Sequence, residues 1–90
     1  MLRVMGKTVR YGVGDVVRFT KKRIGKRPIK YTKDGPPNPI AGAVAYGEIG
    51  IVSEVINYNG GQRYYVITFL DKARTGIKYG QMIRYFKKIS

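Results

Sequence analysis

Residues 46–70 read YGEIGIVSEVINYNGGQRYYVITFL, and this stretch decides the fold class. Residues 48–57 carry the branched side chains Ile49, Ile51, Val52, Val55 and Ile56, which suit a pleated strand. Residues 57–61, Asn-Tyr-Asn-Gly-Gly, form a hairpin turn, because Asn and Gly accept the positive φ that tight hairpins need. Residues 62–70 return as a second strand, with Tyr65, Ile67 and Phe69 on one face and Tyr64, Val66 and Thr68 on the other.

Further strands follow outward from this hairpin. Downstream, residues 71–76 read as a loop, 77–79 as a short strand that could form an exposed edge, 80–82 as a helical turn and 84–89 as a last strand. Upstream, a turn at 12–15 leads into a strand at 16–20, and residues 21–46 are dominated by Lys, Arg, Gly and Pro. Their centre, Asp34-Gly35-Pro36-Pro37-Asn38-Pro39, fits neither a helix interior nor a central strand, since its three prolines lack N–H donors. A connection this long points to a protruding, functional loop. No run of ten residues shows a helical apolar period. The expectation is one all-β domain over residues 1–90: a small five-stranded SH3-like barrel with a long basic loop between its first two strands. Closure would hide the strand edges. Residues 1–12 would add an N-terminal arm or an extra strand. An OB fold is the rival, but it wants longer strands.

Charge supplies the functional argument. The 90-residue chain has 18 Lys+Arg against 5 Asp+Glu, a net charge of +13. Eleven of the basic residues and only Asp15 and Asp34 fall within residues 1–34, and residues 16–33 hold eight cations and no acid. So concentrated an excess favours an anionic partner. With no Cys and no His, the sequence excludes a thiolate nucleophile, a disulfide framework, a zinc finger and a Ser–His–Asp triad. The carboxylates are scattered; Glu48 and Glu54 share a strand but stand about 20 Å apart at 3.3 Å per residue. That is too far for a metal pair or a catalytic dyad. The expectation is therefore no enzyme, no metal and no cofactor. No apolar run approaches the length of a transmembrane helix, and the N-terminal run is too short for a signal peptide. The chain reads as soluble and cytoplasmic, with no membrane partner.

A resemblance adds to this reading. Val13-Gly14-Asp15-Val16-Val17-Arg18, followed by Gly47, Gly50, Val52 and Val55 at their spacing, resembles KOW-type SH3-like barrels. Such domains occur at the C-terminus of the transcription factor NusG and in several ribosomal proteins. The resemblance covers residues 13–19 and 46–89; the connection of about 25 residues between the first two strands is a departure from it. It implies an SH3-like fold and a place in a transcription or ribonucleoprotein complex. Two other SH3-like families are similar in skeleton. One is a small component of photosystem I that docks partner proteins. The other, the type II dihydrofolate reductases, shares the Gly-Asp-x-Val-Arg opening, but its Val-Gln-Ile-Tyr segment meets Gly76-Ile77-Lys78-Tyr79 here, without the Gln.

The candidate nucleic-acid-binding residues are Arg18, Lys21, Lys22, Arg23, Lys26, Arg27, Lys30 and Lys33 for phosphates, joined by Arg63, Arg74 and Lys78. Tyr31 and Tyr58 are the candidates for stacking on bases, whereas Tyr65, Phe69 and Phe86 suit the core better. Gln62, Asn57 and Asn59 offer little base-edge chemistry, so the expectation is RNA or DNA bound with weak sequence preference. The alternative is an SH3-like docking or assembly module that binds an acidic protein surface.

Overall fold

A computed structural model describes residues 11–32 and 39–89. Residues 1–10 of the arm or extra strand expected at 1–12, Lys33 and the centre of the Pro/Gly turn lie outside the described residues. Among the described residues, seven strands form one antiparallel sheet: β1 (Val16–Phe19), β2 (Ile29–Tyr31), β3 (Ile40–Ala43), β4 (Ile49–Asn57), β5 (Arg63–Phe69), β6 (Arg74–Lys78) and β7 (Phe86–Lys88). One short helix, α1 (Tyr79–Tyr85), precedes β7. The sheet order is β3-β2-β6-β5-β4-β1-β7, and the sheet curls into a half-barrel around its apolar face.

The β4–β5 hairpin is the spine. Its register runs from Gly50↔Phe69 to Asn57↔Arg63, and the Tyr58 N–H donates to the Gln62 carbonyl at 2.8 Å to close the turn. Val52, Tyr65, Ile67 and Phe69 point inward and pack with Val17, Phe19, Val44, Ile77, Met82 and Phe86. Phe19 and Phe86 meet edge to face across β1 and β7, with ring centroids 5.2 Å apart. Gly50 leaves no room for a side chain against β5: a Cβ there would stand 2.5 Å from Ile67 Cγ2 and 3.0 Å from Phe69 Cδ1.

Three expectations are corrected. The sheet has seven strands rather than five, because residues 21–46 are not one protruding loop. They hold β2 and β3, which pair with each other and join β6 through Tyr31↔Arg74. Residues 74–76, expected in a loop, begin β6, whose inward Thr75 and Ile77 alternate with Arg74, Gly76 and Lys78. β6 is therefore internal, and the sheet edges are β3 and β7. A bulge at Ser53 shifts the register between Val52↔Ile67 and Glu54↔Val66. It breaks the alternation that would have put Glu48 and Glu54 on one face.

Two glycine substitutions test the packing. Gly50→Ala should destabilise the fold by about 1–3 kcal/mol through overpacking. Gly76→Ala, where an added Cβ meets nothing within 4 Å, should cost nothing measurable. Urea denaturation of the two variants beside the parent chain checks both expectations.

Candidate nucleic-acid interface

The seven described cations of residues 16–33 do not share one environment. Lys30 points inward from β2 and is buried. Its ammonium donates to Glu48 Oε2 and, at 2.9 Å, to Asp71 Oδ2, and it lies 5.3 Å from the Phe69 ring centroid. Each carboxylate also closes its own turn. Glu48 Oε1 accepts the Ala45 N–H at 2.9 Å, and Asp71 Oδ1 accepts the Ala73 N–H at 3.0 Å. Lys30 is thus an internal clasp and has no exposed head to offer a phosphate.

Arg27 is also architectural. Its guanidinium donates to the carbonyls of Lys21 (3.3 Å), Lys22 and Val44 (3.2 Å) and lies 5.5 Å from the Phe19 ring centroid. These bonds curl residues 21–27 into a compact turn beside the end of β1. Around that turn, Lys22, Arg23 and Lys26 are exposed and Lys21 is half-buried. Lys22 also lies over the exposed Tyr46 ring, 5.2 Å from its centroid.

Arg18 faces outward from β1 directly opposite Lys87 of β7. Like charges across a strand pair repel, so the free protein holds a local positive field here. Tyr31 and Arg74, distant in sequence, are cross-strand neighbours on the outer face of the sheet. Tyr58, Arg63 and Lys78 gather at the far end of the β4–β5 hairpin, where Tyr58 packs edge to face on Tyr64 at 5.3 Å. α1 links this group to the basic turn: it follows Lys78, and its final carbonyl, that of Tyr85, accepts from the Thr20 N–H (2.8 Å) and Oγ1 (3.1 Å). Seven helical residues span about 10 Å.

Four exposed cations among the described residues lay outside the candidate set: Lys72, Arg84 on α1, and Lys87 and Lys88 on β7, of which Lys88 is paired with Asp15; Arg84 and Lys87 bear on the site. Both lie outside the charge-dense third, and only the antiparallel register sets Lys87 beside Arg18. Tyr65, Phe69 and Phe86 are buried, in accord with their expected core role.

Four carboxylates fall among the described residues, and three are held in ion pairs. Glu48 and Asp71 pair with Lys30, and Asp15 pairs with Lys88 at 3.3 Å. Only Glu54 is without such a pair among the described residues. No helix among them is long and apolar enough to cross a membrane. No family model, curated protein or solved structure matches this chain.

The clasp shifts the ionisation of its members. The Lys30 hydrogen bond, aided by the Ala73 N–H, holds the Asp71 carboxyl below its ordinary value. Burial disfavours the Lys30 ammonium, but its bonds to Glu48 and Asp71 outweigh this and raise its pKa. A depressed carboxylate pKa stabilises the fold above the unfolded value and loses that contribution as pH falls through the folded one. A raised lysine pKa stabilises below the unfolded value and loses it as pH rises through the folded one. Stability should therefore hold a plateau between about pH 5 and 9, bounded by the ordinary Asp and Lys values. Asp71→Asn should flatten the acid limb. Lys30→Met should cost about 2–4 kcal/mol, less than a fully buried pair because Asp71 is half exposed. Thermal melts across pH, with urea titration at pH 7, measure both effects.

Proposed function

We propose that this chain is a non-enzymatic nucleic-acid-binding protein that grips the phosphate backbone with weak sequence preference. We infer that it works within a transcription or ribonucleoprotein complex in the cytoplasm. The observation that carries the reading is the unequal use of charge. Three carboxylates are occupied by Lys30 and Lys88, while Arg18, Lys22, Arg23, Lys26 and Lys87 stand exposed with no ion pair among the described residues. Phosphates would neutralise these cations and release their condensed counterions. Tyr31 and Tyr58, both partly exposed, add rings on which bases could stack.

The finer fold reading is an SH3-like barrel of KOW type spanning a single domain. Strands β1, β4, β5, β6 and β7, with a helical turn before the last, support it by their order and pairing. The β2–β3 hairpin is then an elaboration of the first long connection.

The test is a gel shift of RNA and of DNA across salt concentration, with the 260/280 absorbance ratio of the purified protein. Binding at low salt that fades as salt rises is the expected result. Replacing Lys21, Lys22, Arg23 and Lys26 together by Gln should lower the slope of log K against log salt by about 3–4, at 0.9 per phosphate contact. Circular dichroism should stay unchanged, because Arg27 is kept. A nucleic-acid-free preparation that shifts neither polymer at low salt would overturn the reading and favour docking on an acidic protein surface.

A further inference from the structure

At the far end of the β4–β5 hairpin, a recess of about 190 Å³ is lined by Gly61, Gln62, Arg63, Lys78, Tyr79 and Gly80. No carboxylate lines it. Arg63 and Lys78 reach it from adjoining strands, since Tyr64 pairs with Lys78 in the β5–β6 register. The Arg63 guanidinium donates from Nε to Asn57 Oδ1 at 3.0 Å and from Nη1 to the Tyr65 hydroxyl at 3.4 Å. Both acceptors are neutral, so the group is oriented while its charge stays uncancelled. The Lys78 side chain has no ion pair among the described residues. Arg84 does not line the recess but stands near it on α1: its Nη2 lies 3.8 Å from the place a Cβ would take on Gly80. Gly61 (φ +81°) faces open space on the other side. The volume is about six waters' worth at 30 Å³ each, room for a phosphate group and part of its sugar and below the usual small-molecule site.

We propose that this recess is a single-phosphate subsite, holding one phosphodiester of a nucleic-acid strand between Arg63, Lys78 and Arg84. The inference rests on the nucleic-acid reading and adds a second, recessed anchor to the basic turn. The two anchors lie at opposite ends of α1, so a strand held in the recess would continue past Arg84 toward Lys21.

The test is an NMR titration of the full chain with a short single-stranded RNA at low salt, following the Gly61 and Gly80 amides. Saturable shifts of both amides are expected. In the Lys78→Gln, Arg84→Gln double variant those shifts should be lost and the salt slope should fall by about 0.7, the value for one phosphate contact on a single strand. An RNA ending in a 5′-hydroxyl should act as well as one ending in a 5′-phosphate; dependence on the terminal phosphate would overturn the diester assignment. RNA that binds but shifts only residues 18–27 would overturn the subsite and leave the nucleic-acid reading standing. RNA that does not bind at all would overturn both.

Discussion

The buried Lys30 ammonium joins three parts of the chain that otherwise have little in common. It arrives on β2, and its two carboxylate partners sit in the turns before β4 and after β5. Each carboxylate uses one oxygen for its own turn and the other for Lys30. A lone buried cation would cost several kcal/mol in desolvation; two charge-assisted hydrogen bonds and the nearby Phe69 ring offset that cost. The clasp thereby holds the β2–β3 hairpin onto the sheet, helped by the Thr75 hydroxyl donating to the Ile29 carbonyl at 2.8 Å. Arg27 performs a similar task for residues 21–27 by tying their carbonyls to that of Val44. With both ends fixed, the long connection becomes a shaped surface.

The same bonds set the outer field. One buried lysine occupies two of the chain's five acids, so little negative charge remains to balance the exposed cations. Arg18 and Lys87, set opposite one another, weaken the β1–β7 edge in the free protein. A polyanion bound there would relieve that repulsion as well as make contacts. Binding and stability are therefore linked, since a ligand that prefers the native state stabilises it in proportion to its occupancy.

The parts legible in the sequence are those whose signals are local. Residues 62–70 alternate plainly, and the Asn-Gly-Gly turn announces the hairpin, so β4 and β5 were readable from their own residues. β2 and β3 were not. β2 carries a lysine where an inward apolar residue is expected, and β3 is Ile-Ala-Gly-Ala, of low β propensity. What holds them is remote: the partners of Lys30 stand 18 and 41 residues away. The start of β6 was obscured because its first inward position is the polar Thr75, and the Ser53 bulge changed the facing of Glu54 relative to Glu48. For the candidate site the limit was similar. Charge density located the basic turn, but a lysine in a clasp and a lysine in solvent look alike in one dimension.

The neutral polar side chains bear on how such a surface would discriminate among partners. Reading base edges requires hydrogen-bonding groups that are free to turn toward a groove. Here Asn57 accepts from Arg63, Thr68 donates to Ser53 at 2.9 Å, and Ser53 donates to the Val66 carbonyl at 3.2 Å. Thr20 and Thr75 donate to backbone carbonyls, and Gln81 accepts the Lys78 N–H at 3.3 Å. The fold uses these groups to complete its turns and its outer sheet face, so beside the charged heads the exposed amides at the hairpin tip are Asn59 and Gln62. On the proposed reading, guanidinium and ammonium heads would meet phosphates, which position a protein on a strand without reading its bases. On that reading, the bonds that let so small a basic chain fold would also favour contact with a nucleic-acid backbone over readout of its sequence.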